Sequence, residues 1–483
     1  MATFSAALLR SKDVISWPLA IGVAAFVGAL AISSAVGTVV LVGCICAALV
    51  SPMRAIQALT VATLVAYGNP AIIKYTSAEG ILVRLVLLAA VLRTVPTVRS
   101  SDLRILWPVW LFSAVEALTS LQTSPAVDIS MLKVFEFICG ITAVLVAYNH
   151  IRPAQLIRLQ RWMITVGLTV IGLSALTLLK PSIGLGGDGG LQGILDQPQA
   201  LGIFMAPFAA WAIAGTLLMR RTATRLELWV ALVLVVLIVL SKARTAGFGA
   251  AFGVIVVVAT RALGRRRTGQ ATLGRPVLIC ALACIALAGV AATTGGLSSI
   301  VNHYLYKGTE GKVNSLNQAF YNSRGGGAQG EWDDFLAKPL FGNGFGVYPD
   351  GHFPSGVVRV YGIPISAPIE KGFLPTAILQ EGGAVGGALL LLIIALLFRR
   401  CWRNTDLRWR AMFVACLGIN IGECVFMSPG GIGIFDWLLL SLAMFSYRAM
   451  QPLPLVLQPA APTDLPDIDS PGLAKRTEPQ FGI

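Results

Sequence analysis

Two arginines, two candidate bases and a few polar side chains stand out in a chain that is otherwise strongly apolar. Arg244 lies in Ser241-Lys242-Ala243-Arg244-Thr245, between two apolar runs. A guanidinium at that position stays charged and grips a phosphate through two parallel hydrogen bonds. The plainer alternative is an arginine that snorkels to a membrane interface. Arg324 is the second guanidinium of interest: it either completes a diphosphate clamp with Arg244 or is a solvated surface charge. His352 has the intrinsic pKa of a general base. Glu370 competes with it, because burial raises a carboxylate into the useful range, although a salt bridge to the adjacent Lys371 is the simpler role. Gln197 and Gln199 follow the glycine-rich 180–193 connection, next to Asp196, at the start of an apolar run. Backbone amides at such a helix start attract anions and the two amide side chains suit hydroxyl-rich ligands, while capping by Asp196 is the commoner explanation of that pattern.

The frame that must position these groups is a membrane bundle. Of 483 residues, 56% are hydrophobic and only 12% charged, against about 25% charged in a soluble domain. Apolar runs long enough to span lie near 15–34, 36–51, 55–73, 80–96, 103–122, 130–149, 157–179, 197–219, 226–241, 244–263, 276–295, 373–398, 409–427 and 430–448. The first two are close together and glycine-broken and the fourth carries Arg84, so the expectation is about 12–14 transmembrane helices. The first run has no small-residue cleavage site and reads as a retained helix. The 37 lysines and arginines alternate with these spans. With the N-terminus inside, every short inside connection is basic, for example 99–104, 152–161, 220–225, 261–275 and 399–410. That is the positive-inside pattern. It puts both termini in the cytoplasm and the 296–372 segment outside, and it accounts for the net charge of +14 without nucleic acid.

The resulting layout is a transmembrane bundle over 1–295, an external (periplasmic) loop domain over 296–372 carrying site residues, C-terminal transmembrane helices over 373–450, and a proline-rich cytoplasmic tail over 451–483 that reads as disordered. Within the loop, 331–337 is expected to be a short helix lying on the membrane with Trp332 and Phe335 down, stopped by Lys338-Pro339. Gly342-Asn343-Gly344-Phe345-Gly346 permits tight turns at positive φ, and the prolines after His352 keep the chain extended to Gly372. The eight cysteines lie in or beside apolar runs, which argues against a disulfide framework or a CxxC metal site. Inside the spans, Lys133 and Glu136 are expected to neutralise one another. Glu116, Glu423 and Asp436 should face the interior. Those acids motivate an alternative function, a polytopic transporter or flippase for a lipid-linked or small polar substrate.

Three stretches resemble the bacterial O-antigen ligase and polysaccharide polymerase superfamily. They are Ser241 to Thr245; Ser323-Arg324 with Trp332 and then Lys338-Pro339-Leu340-Phe341-Gly342-Asn343-Gly344-Phe345-Gly346; and Glu370-Lys371-Gly372 followed by Leu374, Leu379, Glu381, Gly383 and Gly386. The match covers roughly Gln192 to Leu396; the earlier spans fit only in hydropathy. The resemblance implies an all-α, GT-C-like inner-membrane glycosyltransferase, metal- and cofactor-independent and inverting. Its donor would be a glycan on polyprenyl (undecaprenyl) diphosphate and its acceptor a glycan or lipid-linked hydroxyl. Arg244 and Arg324 would hold the diphosphate, while Lys242, Gln197, Gln199 and Tyr348 would contact the glycan. Other envelope polysaccharide-assembly proteins would be its partners. Many ligases carry His-Asn just before the returning span. Here Glu370-Lys371 stands instead, which leaves the base between Glu370 and His352 and favours the exopolysaccharide-polymerase branch over the ligase branch.

Overall fold

The computed structural model describes residues 15–73, 77–187, 189–218, 225–267, 326–350, 357–367 and 371–450. The helices are α1 (Trp17–Ile32), α2 (Ser34–Val50), α3 (Pro52–Ala66), α4 (Ser77–Thr94), α5 (Ser100–Thr123), α6 (Val127–His150), α7 (Pro153–Leu176), α8 (Pro198–Leu218), α9 (Arg225–Ser241), α10 (Arg244–Arg267), α11 (Gly326–Ala337), α12 (Leu374–Cys401), α13 (Leu407–Ile419) and α14 (Gly433–Phe445). Among the described residues, seven helices are long and apolar enough to cross a membrane, and α1, α2, α3 and α9 are shorter apolar helices. The described residues are therefore those of a mostly helical, multi-pass membrane protein. The apolar runs coincide with these helices, except that 276–295 lies outside the described residues, 55–73 is helical only to Ala66 and 409–427 only to Ile419. The first two runs are separate helices, divided at Ser33, whose hydroxyl accepts from Ala35 N at 3.2 Å.

Burial sorts the helices into centre and rim. Most of α6 and α8 is buried, 72% and 78% of their most apolar windows, and every residue of α14 is buried. By contrast α4 buries 22% and turns Ile81, Leu85, Leu88 and Leu92 outward at helical spacing, as a lipid-facing helix does. The α9 helix likewise exposes Leu228, Trp229, Leu232 and Val236.

The connections fall into two groups that meet at opposite ends. At the basic end, Asp102 takes the His150 ring at 2.9 Å, Arg448 donates to the Asn149 carbonyl at 2.7 Å, and Arg400 stacks on Phe445 at 5.0 Å. There too, Arg408 is held by Asp406 at 2.8 Å and Glu227 at 3.2 Å. At the other end, Asn69 donates to the Gly193 carbonyl at 2.8 Å and Leu191 N to the Leu240 carbonyl at 2.9 Å. Phe345 N reaches Ser120 Oγ at 2.9 Å and Cys424 N reaches the Lys371 carbonyl at 3.2 Å. This second group contains the segments expected outside.

The element that fixes the loop end is a break in α12. Gly383 has φ 62° and ψ −161°, a region only glycine occupies without strain, so the helical ladder stops there. A polar backbone left open inside a bundle costs several kcal/mol per group. The segment after α11 closes it. Asn343 N donates to the Gln380 carbonyl at 2.8 Å and Gly344 N to the Glu381 carbonyl at 3.0 Å; in return Ala384 N donates to the Pro339 carbonyl at 2.8 Å and Val385 N to the Leu340 carbonyl at 3.2 Å. Glycine is required on both sides of this contact. A Cβ on Gly383 would run into the Leu340 carbonyl, and one on Gly342, itself at φ 69°, would run into the Glu381 carbonyl.

Three expectations need correction. Helix α11 begins at Gly326 rather than 331, because its inner face is held by α12 and outweighs the low helix propensity of glycine. Residues 358–366 do not stay singly extended: Val358–Val360 (β1) and Ile363–Ser366 (β2) form an antiparallel hairpin. Tyr361 at φ 48° and Gly362 at φ 80° make its turn, and Arg359 anchors it to Asp128 at 2.6 Å. Glu136 meets Arg84 of α4 at 3.6 Å, so the Lys133–Glu136 pairing expected within α6 gives way to a bond between helices.

Gly383→Ala should destabilise the protein by about 2–4 kcal/mol and open the 338–350 segment to protease. Gly387→Ala, four residues on, meets only the flexible Leu379 side chain at 3.0 Å and should be tolerated. Thermal unfolding in detergent, combined with limited proteolysis, checks both.

Candidate functional site

Lys371 is the hub of the loop end. It stands just before α12, is buried, and donates to the Val347 carbonyl at 2.9 Å, to Gln380 Oε1 at 2.5 Å and to the Glu381 carboxylate at 2.9 Å. The break in α12 makes this possible, because it leaves Gln380 and Glu381 at the end of a helical segment rather than inside one. The Tyr348 ring lies 5.3 Å from the same ammonium. The cluster continues outward: Gln380 Nε2 donates to Asp334 at 2.5 Å, and the Thr376 hydroxyl donates to Glu331. Thus α11 turns two of its three acids, Glu331 and Asp334, towards the protein, while Asp333 is exposed. Its Trp332 and Leu336 are exposed, with Trp332 packed on Phe335 at 5.1 Å. This inverted amphipathic pattern suits a helix at a lipid interface. Burial raises the Glu331 carboxyl above its ordinary value, opposed by the Thr376 hydrogen bond and the Lys371 charge. Burial also raises the Tyr348 phenol, reinforced by Glu331 and Glu381.

The Arg244 junction is built from close backbone contacts. Lys242 adopts φ 55°, unusual for a residue with a side chain, and lets the chain reverse between α9 and α10. The Ser241 hydroxyl donates to the Ile238 carbonyl at 2.8 Å and accepts from Ala243 N at 3.3 Å. Ala243 and Ala246 press on Gly202 of α8, where any Cβ would collide with Ala243. Arg244 is therefore the first residue of a helix whose start is immobilised on the bundle core. The next residue links it to the loop cluster: Thr245 Oγ1 donates to Glu423 Oε1 at 3.3 Å, and the following Cys424 N donates to the Lys371 carbonyl.

One acid stands apart from these pairings. Glu116 of α5 is fully buried against Gly382 and Gly386 at the break in α12, and neither of its carboxylate oxygens has a hydrogen-bond partner among the described residues. Asp436 is buried in α14 and accepts from Asn420 at 3.3 Å, and Glu423 is held by Thr245. Both Glu116 and Asp436 face the interior as anticipated.

The structure brings Arg244, Lys242 and Tyr348 to the same end. Lys242 reaches over Gly189, so the 184–196 connection lies against the junction. Gln197 stands just before α8 and Gln199 in its first turn, both half-buried. Arg324, His352 and Glu370 lie outside the described residues. Reading from sequence missed the Lys371–Glu381–Gln380–Asp334 network, since its members are near one another only because α12 breaks. The available signal was Gly382-Gly383 beside two polar residues inside an apolar run. No protein-family model matches the chain, and no curated protein matches it.

Lys371→Met should cost about 3–5 kcal/mol, because it strands the buried Glu381 charge. The double variant Lys371→Met/Glu381→Met should recover most of that loss, and a double-mutant cycle of melting in detergent reads the coupling. Glu331 generates a pH prediction. The folded chain binds this proton more tightly than the unfolded chain, so its contribution is full below the ordinary value of 4.5 and declines as pH rises through the raised value. Glu331→Gln should remove that slope, and the difference between wild-type and variant melting temperatures from pH 4 to 8 measures it.

Proposed function

We propose that this protein is a membrane glycosyltransferase acting at its loop end. It would move a glycan from a polyprenyl diphosphate carrier onto an acceptor hydroxyl, in the manner of O-antigen ligases and polysaccharide polymerases. The observation that carries the reading is the shared anchoring of two polar elements. The Arg244 junction and the loop segment 338–350 are tied to one another through Thr245, Glu423, Cys424 and Lys371. Diphosphate is a good leaving group, so such a protein needs mainly fixed cations and positioning. Arg244 supplies a fixed guanidinium for the diphosphate, with Lys242 beside it. Arg324 is the second member of the clamp in this reading, and His352 or Glu370 takes the proton of the acceptor hydroxyl as it displaces the diphosphate with inversion. The backbone strain at Lys242 fits a site held in a working geometry, since such strain concentrates at functional positions. In this reading the loop end faces the periplasm and the basic end the cytoplasm, as the charge pattern of the connections argues.

A second reading has its own support. A broken membrane helix beside a buried acid, here α12 with Glu116, is a recurrent element of transporters. It assigns the carrier-linked glycan, or another polar solute, as cargo and Glu116 as the coupling acid.

The two readings separate on paired variants. In a strain lacking the gene, complementation with Arg244→Ala should lower glycan transfer about 100-fold or more, while Glu116→Gln should change it less than about threefold. Extraction of carrier-linked glycans reads both. Single repeat units on the carrier identify a polymerase and long finished chains a ligase. The opposite ranking of the two variants favours transport.

A further inference from the structure

The glycosyl-transfer reading leaves Glu116 of α5 without a task, yet its setting is specific. The side chain is fully buried, and neither carboxylate oxygen has a hydrogen-bond partner among the described residues. It lies against both Gly382 and Gly386, where a Cβ built on either glycine would run into Glu116 Oε1. Those glycines flank the start of the 384–401 half of α12. The break at Gly383 leaves the first amides of that half without acceptors in their own helix. Such amides attract negative charge. Two of them are taken by the loop: Ala384 N donates to the Pro339 carbonyl at 2.8 Å and Val385 N to the Leu340 carbonyl at 3.2 Å. Both acceptors belong to exposed residues.

Helix α5 also touches the other side of this contact. Glu116, Ser120 and Ser124 recur every four residues, on one helical face. Ser120 Oγ accepts from Phe345 N at 2.9 Å, and a Cβ on Gly344 would come within 2.6 Å of Ser124 Cβ. One face therefore meets both the docked segment and the helix that the segment repairs. Burying a carboxylate with no donor costs far more than burying the neutral acid, so the contact as it stands suits the protonated side chain. The surrounding charges do not change this. On α12 the charged group acting on Glu116 is Glu381, itself held by Lys371 at 2.9 Å. On α6, Asp128 meets Arg359, the Lys133 stem packs on Gly346 and Glu136 meets Arg84. Residues 339–346 carry no charge, and Asp102 and Arg104 lie at the far end of α5.

We propose that Glu116 is a proton-operated latch for the loop segment 339–346. With the proton in place, the amides of the 384–401 half-helix are left to the Pro339 and Leu340 carbonyls, and the segment is docked. When the proton passes to solvent, the carboxylate caps those amides, because a charged acceptor binds them more strongly than a neutral carbonyl does. The two carbonyls are displaced and the segment comes away. It leads into Val347 and Tyr348, which contact the Lys371 ammonium, so loss of the proton slackens the candidate site. The latch itself requires neither functional reading, while its control of turnover rests on the glycosyl-transfer one.

The test is hydrogen exchange, read by mass spectrometry on peptides covering 342–346, with the full-length protein in phosphatidylcholine nanodiscs. It runs from about pH 5 to about pH 9 and compares wild type at each pH with Glu116→Gln, which keeps the shape of the neutral acid. Comparison at equal pH cancels the intrinsic pH dependence of exchange, and Glu331, in the neighbouring cluster, is present in both chains. Wild type should lose at least about tenfold in protection relative to the variant as pH rises, and the variant should stay protected throughout. Glu116→Met repeats the comparison if the amide variant folds poorly. Wild-type protection that does not fall with pH overturns the proposal. An equal loss in the uncharged variants also overturns it, by assigning the release to another group. Failure of Arg244→Ala to lower glycan transfer would remove the transfer reading and leave the latch standing.

Discussion

A membrane helix cannot be interrupted unless something replaces its lost hydrogen bonds, and the rest of this structure depends on how that is done. At Gly383 the ladder of α12 stops, and the backbone of 339–344 takes over both of its open ends. Two of those four bonds, from Asn343 and Gly344 to the Gln380 and Glu381 carbonyls, join buried residues, where no bulk water competes, and they pin the segment to the helix it repairs. A polar loop is thereby built into the membrane body. Lys371, at the start of the broken helix, can then meet Glu381 at its break and satisfy a buried carboxylate that an intact helix would carry ten residues away.

The same constraint explains the inversion of α11. With Glu331 and Asp334 needed for Thr376 and Gln380 on α12, Trp332 and Leu336 are left facing out beside Asp333, a mixed apolar and charged face that suits a lipid interface. Local structure, packing and placement in the bilayer agree on one arrangement. On the other side of Lys371 the chain of contacts runs through Cys424 and Glu423 to the start of α10, so the Arg244 guanidinium and the loop are positioned by one connected network.

Much of the helical frame was legible in the sequence, because hydropathy and basic connections are local signals. The runs at 103–122, 130–149 and 197–219 lie within a few residues of α5, α6 and α8. The aromatic face of α11 was legible for the same reason. The break in α12 was signalled only by Gly382-Gly383 beside Gln380 and Glu381 inside an apolar run, a local pattern that does not distinguish a break from ordinary small-residue packing, and the docking of 339–344 decides it. Glu136 was assigned to Lys133 by helical spacing, whereas tertiary packing supplies Arg84 from α4. The hairpin was missed because Tyr361-Gly362 lacks the usual Asn-Gly turn signal. Of the candidate site, Arg244, Lys242 and Tyr348 lie together at the loop end, while Arg324, His352 and Glu370 fall outside the described residues.

The central claim is that the carrier-linked glycan is cleaved from its diphosphate rather than moved. The direct measurement reconstitutes the purified protein in sealed vesicles holding a polyprenyl diphosphate-linked glycan and an acceptor, and follows both the carrier and the glycan. Free polyprenyl diphosphate appearing in step with a lengthened or transferred glycan is the result expected. Intact donor redistributed between the leaflets, with no free carrier formed, would contradict the account.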